Sequence, residues 1–277
     1  MTDRTNDDAS ADDLPTPLVP PGVYTEEYYR KWCAGYAEWT ASEGASVAGI
    51  YPGILHLARM APGDFLVDIG TGRGELLAVA VEAGAGRAVG VEYAPAAVSM
   101  AEQTLDIHGV RDKAEVILAD ARSVPLPDGV ADLVTMVDVV EHLSPEELHR
   151  SLTEARRLLK PGGRLFVHTM PNRLIYDVTY RVQRLLRPGR RRSWPKDPRL
   201  HHYEHVMHVN EQTRSSLRRY LRRAGFHPVR VWLGEWIYTD FVPDERARRL
   251  YARLAATPFT KRFGTADLFA EGSRPLA

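Results

Sequence analysis

Cysteine is nearly absent. The 277-residue chain holds one, Cys33, so an internal disulfide and a cysteine metal cluster are both excluded. Net charge is lacking as well, since Lys+Arg and Asp+Glu each number 36. That balance gives no whole-chain pull toward nucleic acid or an anionic membrane. No apolar run is long enough to span a bilayer. Two phosphate signatures are missing too. The pattern G-x-x-x-x-G-K-[ST] does not occur, and the glycine loop at 70–74 lacks the spacing G-x-G-x-x-G. The stretch MTDRTNDDASADDLPTP is acidic and polar, the reverse of a secretory leader, so a cytoplasmic location is expected.

What is present is an alternation. Residues 1–22 lack apolar periodicity and read as a disordered tail, leaving 23–277 as the domain. YTEEYYRKWCAGYAEWTASEG follows, with Thr25 as helix cap and Tyr28, Trp32, Tyr36 and Trp39 at helical spacing, so one aromatic-faced helix is expected. A second helix is expected through GILHLARM. Then short apolar runs (DFLVDIG, RAVGVEY, AEVILADA, ADLVTMVDVV, RLFVHTMPN) are separated by amphipathic segments. One of these, SPEELHRSLTEARRLLKPGG, has Ser144 as cap, Pro145 in its first position and a Pro-Gly-Gly stop. Apolar strands alternating with helices predict an α/β fold, a parallel sheet covered on both faces. The pattern breaks over residues 173–209 and resumes with the helix EQTRSSLRRYLRRAGF and the strands HPVRVWLGEW and ADLFAEGSRP.

The loop Asp68-Ile-Gly-Thr-Gly-Arg-Gly-Glu75 lies between the first strand and its helix, where open α/β sheets take ligands. Glu75 in the first helical turn would sit poorly beside a pyrophosphate. The loop therefore suits a nucleoside without phosphates. Glu92 ends the second strand about twenty residues on, where a carboxylate can accept both hydroxyls of a ribose. Asp120 ends the third strand, within reach of an adenine amino group.

These residues carry a resemblance. VDIGTGRGE resembles the first motif of the class I S-adenosylmethionine-dependent methyltransferases, with Thr71 where Cys is usual. VGVEYAP resembles their ribose-binding strand end, and LADA their adenine contact. DVVEHL, LLKPGGRLFVHTMPN, HVNEQTRSSLRRYLRRAGF and DLFAEGSRP resemble their later elements, over roughly residues 24–277. The resemblance implies a Rossmann-like seven-stranded sheet with an antiparallel last strand and S-adenosyl-L-methionine as cofactor. It places Asp68, Gly70, Gly72 and Gly74 at the cofactor's loop, with Gly70 and Gly72 near the methionine end. Glu92 and Tyr93 fall at the ribose, Asp120 and Ala121 at the adenine, and Asp138 near the methyl group.

Methyl transfer is an in-line displacement whose leaving group departs neutral, so alignment supplies much of the rate. A base is needed only where the acceptor must lose a proton. HHYEHVMHVN holds His201, His202, His205 and His208. His202 and His205 are candidate bases, and His208 reads as structural beside the cap Asn210. His201, His205 and His208 would share a helical face, an arrangement open to metal, but no metal is expected. Glu141 and His142, past the fourth strand, are further catalytic candidates.

Tyr28 and Tyr36 are candidates to cover the sulfonium through their ring faces, with core packing as the alternative. Between Arg181 and Arg199 lie seven arginines and Lys196 against Asp197 alone. The segment reads as a lid, either a solvated basic loop or a device that recruits an anionic acceptor, with Tyr176 and Arg199 as acceptor contacts. The expected activity is methylation of a small-molecule acceptor enclosed in a pocket, at oxygen, with nitrogen and carbon open. A protein or RNA methyltransferase and a non-catalytic cofactor-binding protein are the alternatives. No nucleic-acid module and no carboxamide motif after the fourth strand are found, and the oligomeric state is open.

Overall fold

The computed structural model describes residues 14–186, 195–197, 199, 204–234 and 245–276. Seven strands form one sheet: β1 (Phe65–Ile69), β2 (Arg87–Glu92), β3 (Ala114–Leu118), β4 (Ala131–Val137), β5 (Leu159–Thr169), β6 (Val229–Leu233) and β7 (Leu268–Ser273). Their order is β3-β2-β1-β4-β5-β7-β6. The pairings from β3 to β5 are parallel, and β7 runs antiparallel to both β5 and β6. The order reverses between β1 and β4, which opens a crevice at their carboxyl ends.

The helices are α1 (Glu26–Lys31), α2 (Tyr36–Ser42), α3 (Ile50–Leu57), α4 (Glu75–Glu82), α5 (Pro95–Ile107) and α6 (Pro145–Leu158). After β5 come α7 (Arg181–Leu186), the short α8 (Glu204–Met207), α9 (Arg214–Arg223) and α10 (Glu245–Ala255). Side chains alternate across each strand, so the two faces bury different sets. Val67, Ile69, Val134, Met136, Leu165 and Val167 pack with Leu148 and Leu152 of α6 and Leu217 and Leu221 of α9. Leu66, Leu133 and Phe166 pack on the other face with Ile54 of α3, Leu77 of α4 and Leu105 of α5. Burial on both faces is why these strands read as continuous apolar runs. α6 starts with a full capping box. Ser144 Oγ takes the Glu147 N–H, and the Glu147 carboxylate takes the Ser144 N–H.

Two expectations change. The aromatic N-terminal segment forms two helices rather than one. Gly35, in a left-handed conformation, begins α2, and the turn before it is tied elsewhere. Trp39 is fully buried and donates its indole N–H to Thr104 Oγ1 (2.8 Å), whereas Trp32 and Tyr36 are exposed. The expected tail also ends early. Val19 is buried, the Leu18 N–H reaches Glu147 Oε1 (2.8 Å), and Pro21–Val23 forms a 3-10 turn. Residues 1–13 lie outside the described residues.

Candidate active site

A cavity of about 1040 Å³ opens over the carboxyl ends of β1, β2 and β4, roofed by α1, α2 and α3. Asp68, Gly70, Gly72, Glu92, Tyr93, Asp120, Ala121 and Asp138 all line it. So do Glu141, His142, Tyr28 and, at its exposed rim, Tyr36.

The glycine loop leaves β1 with Gly70 at φ 76° and Gly72 at φ 56°. A Cβ on Gly70 would stand 2.3 Å from Val139 Cγ2, so the loop can pass β4 only as glycine. A Cβ on Gly72 would have Tyr29 as its nearest neighbour, at 3.8 Å, so the loop's open side is here. Gly74 does not line the cavity. It sits against Ala101 of α5 and lets α4 approach that helix.

Glu92 accepts three backbone N–H groups: Gly72 on Oε2 (3.0 Å), and Tyr93 and Ala94 on Oε1 (both 2.9 Å). Burial nevertheless pushes its carboxyl up to about 7. Asp68, also buried, accepts from Thr135 Oγ1 (2.6 Å) and is pushed up to about 6. Asp120 is clasped by Arg122, whose Nε and Nη2 donate to its two oxygens (2.9 and 2.8 Å).

Arg73 and Glu75 are the unexpected part of the loop. Both side chains are buried, and Arg73 Nε donates to Glu75 Oε2 (3.0 Å). The other guanidinium nitrogens reach the carbonyls of Tyr29 and Ala34, both at 2.5 Å. Tyr51 of α3 donates its hydroxyl to Glu75 Oε2 (3.0 Å). One arginine thereby holds the break between α1 and α2 down onto the glycine loop. The aromatic spacing carried no signal of this. The Arg-Gly-Glu run itself was the available clue.

Past β4 the floor of the cavity is polar. Asp138 has φ 53°, an uncommon backbone for a non-glycine residue. Its Oδ1 lies 2.9 Å from His168 Nδ1, and this neighbour, working against burial, holds the Asp138 carboxyl below its ordinary value. Burial raises Glu141, which accepts from Thr169 Oγ1 (2.8 Å). Burial lowers His142 to about 3 and His208 to about 4, so both rings are neutral. Their ring centres are 4.8 Å apart. The Tyr93 hydroxyl donates to the Val19 carbonyl (3.0 Å), and the Tyr24 ring packs edge-on against that of Tyr93. The Tyr24 hydroxyl and His142 Nδ1 are hydrogen-bonded at 2.9 Å, which orients the ring and leaves Nε2 outside that bond.

The lid residues behave otherwise. Tyr176 is buried outside the cavity lining, beneath the Arg199 guanidinium at 4.9 Å. Arg199 is not a free cation. It bonds Glu211 Oε1 (2.5 Å), Asp177 (3.2 Å) and Asp197 (3.3 Å), and it does not line the cavity either. His201 and His202 lie outside the described residues, and only the backbone of His205 is described, in α8. His208, read as structural, lines the cavity, as do Tyr24 and His168, which sequence reasoning passed over. The signal for His168 was a lone polar residue in an apolar strand.

A family described as "Methyltransferase domain" matches residues 67–167. A ubiquinone/menaquinone biosynthesis C-methyltransferase of Paraburkholderia phytofirmans is 30% identical over 185 residues, 63% of this chain and 72% of the relative. The chain belongs to the class I S-adenosylmethionine-dependent methyltransferases. Another of these methyltransferases, the demethylmenaquinone methyltransferase of Thermus thermophilus, is 32% identical over 126 residues, 44% of this chain. The chain spans 56% of that relative's length. A solved geranyl diphosphate C-methyltransferase from Streptomyces coelicolor shares the fold, with TM-score 0.54 and 16% identity over 88% of this chain and 85% of that one.

The methyltransferase cofactor is S-adenosylmethionine. The residues present fit it. Gly72 leaves an open side on the loop, and Glu92 Oε2 carries a single loop N–H, so it retains a lone pair for a ribose hydroxyl. No helix among the described residues is long and apolar enough to cross a membrane.

Proposed function

We propose that this methyltransferase methylates a small, largely apolar acceptor at an oxygen. The observation that carries the reading is His142, oriented by the hydrogen bond between its Nδ1 and the Tyr24 hydroxyl on the floor of an apolar-walled cavity. S-adenosylmethionine supplies the methyl carbon on a sulfonium, which leaves as a neutral thioether. The chain's own residues do the rest. The glycine loop and Glu92 hold the donor, and the roof of α1–α3 keeps water out. As the acceptor oxygen bonds to the methyl carbon, its proton becomes strongly acidic. A neutral imidazole of low basicity suffices to take it at Nε2 of His142. Tyr28 and Tyr36 contribute aromatic surface toward the cationic donor. His205 and Glu141 remain candidate catalytic groups, and His202 lies outside the described residues.

An anionic acceptor loses Arg199 from its support, since Asp177, Asp197 and Glu211 already neutralise that arginine. It keeps Arg190, Arg191 and Arg192, which lie outside the described residues. A second reading, methylation at carbon, draws on the relatives, one of which is named a C-methyltransferase. The same Nε2 would then take a ring-carbon proton.

The test is transfer of labelled methyl from S-adenosylmethionine into an extract of the source cells, separated by size. Label in the small-molecule fraction supports the reading, and spectroscopy of the product separates oxygen from carbon. Label in protein or RNA sinks it.

A further inference from the structure

Three side chains able to ligate a metal converge on the floor of the cavity. Glu141 and His142 come from the turn Val140–His142 after β4, and His208 follows α8. Each offers one ligand atom, and the three atoms lie within 4.8 Å of one another. The two segments are pinned together beside the cluster. The Glu141 carbonyl accepts the N–H groups of Val209 and Asn210 (2.9 and 3.0 Å), and the Asn210 amide donates to the Leu143 carbonyl (3.0 Å). Two of the side chains are also steadied from behind. Thr169 Oγ1 donates to Glu141 Oε2 (2.8 Å), and the Tyr24 hydroxyl is hydrogen-bonded to His142 Nδ1 (2.9 Å). Outer partners of this kind orient ligating imidazoles and carboxylates. His208 differs. Its Nδ1 is buried and has no hydrogen-bond partner among the described residues. A buried polar atom without a partner is costly, and a bound cation supplies one. Asp138 reaches both rings electrostatically and adds a carboxylate to the surroundings. Arg199 also reaches His208, but Asp177, Asp197 and Glu211 already surround that arginine.

We propose that Glu141, His142 and His208 bind one divalent transition-metal ion of the zinc class on the cavity floor. Two imidazoles and one carboxylate suit zinc, cobalt or nickel, and not magnesium or calcium, which take oxygen ligands. Zinc bonds of about 2.0–2.2 Å place tetrahedral ligands roughly 3.4 Å apart, so the three side chains close by about 1 Å on the ion. All three line the cavity, which supplies an entry path and leaves the fourth position open. With Nδ1 turned to Tyr24, His142 ligates through Nε2. That nitrogen is the one assigned above to the acceptor's proton, so the loaded protein cannot use it as a base. Methyl transfer is therefore blocked in the loaded protein. The glycine loop and Glu92, which the ion does not touch, still hold the cofactor. Only this consequence rests on the methyl-transfer reading; the metal site does not.

The experiment is calorimetric titration of the full chain, free of chelator and cofactor, with zinc chloride, and with magnesium chloride as the control. The expected result is one zinc ion per chain at micromolar concentration or below, a raised thermal midpoint, and no binding of magnesium. His208→Ala and Glu141→Gln should each weaken zinc at least tenfold. His202→Ala/His205→Ala, which removes two imidazoles outside the cluster, should leave zinc affinity unchanged. Glu141→Gln is nearly isosteric and decides the matter if His208→Ala fails to fold. No zinc binding, or equal binding of magnesium, overturns the proposal. So does zinc affinity that is lost in His202→Ala/His205→Ala and kept in the other two variants. In the labelled-methyl assay, zinc should abolish transfer while affinity for S-adenosylhomocysteine stays within twofold. If zinc fails to bind while label still enters small molecules, this inference falls alone. If zinc binds and label enters only protein or RNA, the methyl-transfer reading falls alone.

Discussion

Two carboxylates, buried Glu92 and half-buried Asp138, line the same cavity and are held by opposite means. Glu92 has uncharged partners, three backbone N–H groups within its own strand end and the glycine loop, and its carboxyl is pushed up. Asp138 faces His168 from the next strand and is held down. The difference extends to the halves they belong to. On the cofactor side, Glu92 takes the N–H groups of the two residues that follow it, and Asp120 pairs two residues away. On the acceptor side they come from far along the chain, as in the bond between Tyr24 and His142. Under the proposed roles, the half around Glu92 and Asp120 would hold the cofactor, and the half assembled from distant segments would vary with the acceptor.

The largest effect that can break this comparison comes from Arg73, whose guanidinium reaches the carbonyls of Tyr29 and Ala34 far back in the chain. Replacing Arg73 by Met leaves Glu75 buried without its cation and unties α1 and α2. A cost of about 3–5 kcal/mol is expected in denaturant unfolding. Trypsin should cut at Arg30 and Lys31 sooner. Arg73→Met/Glu75→Met removes both charges and should recover part of the loss. If the double variant is as unstable as the single one, the pair is not what holds the roof.

Next in size is Gly70→Ala. The added Cβ meets Val139 Cγ2 at 2.3 Å on a backbone at φ 76°. Overpacking and backbone strain together should cost about 2–4 kcal/mol and weaken S-adenosylhomocysteine binding in calorimetry. Val139→Ala should rescue the steric part and leave the backbone part.

Glu92 also makes stability depend on pH. Its folded carboxyl titrates at about 7 against an ordinary 4.5, so between these values the native chain binds more protons than the unfolded chain. Stability then falls as pH rises, by about 3 kcal/mol in total and about 1 kcal/mol of it between pH 6.5 and 8. Raised Glu141 acts in the same direction. His142 and His208 act oppositely. Their lowered values mean that the unfolded chain takes up protons below pH 6.5, so their contribution is lost only on the acid side. The melting point of the ligand-free protein should therefore decline from pH 6.5 to 8. A melting point that rises over this window would contradict the raised carboxyl of Glu92.

The same contrast decides what could be read from sequence. The loop at 68–75, Glu92 and Asp120 each sit at the end of an apolar run, and period and local order place them without any long-range contact. The break between α1 and α2 could not be placed that way, because Arg73 takes carbonyls 44 and 39 residues back in the chain. Arg199 read as a free cation for the same reason. Asp177 and Glu211, which neutralise it, lie 22 and 12 residues away. His208 read as a structural neighbour of Asn210, the expected cap, but Thr213 caps α9 and the Asn210 amide donates to the Leu143 carbonyl. The Glu141 carbonyl, which accepts the N–H groups of both Val209 and Asn210, draws that stretch to the cavity instead.

The smallest expected effect tests the acceptor half alone. Tyr24→Phe deletes the oxygen that meets His142 Nδ1. The loss of one buried hydrogen bond should cost about 1 kcal/mol in stability. Its effect on catalysis is separable, because Tyr24 bonds no residue of the glycine loop and does not touch Glu92. With the Nδ1 partner of His142 gone, kcat should fall about five- to tenfold while affinity for S-adenosylhomocysteine stays within twofold. A loss of cofactor affinity as large as the loss of kcat would mean that the two halves are not independent. The polar floor would then belong to donor binding rather than to the proton of the acceptor.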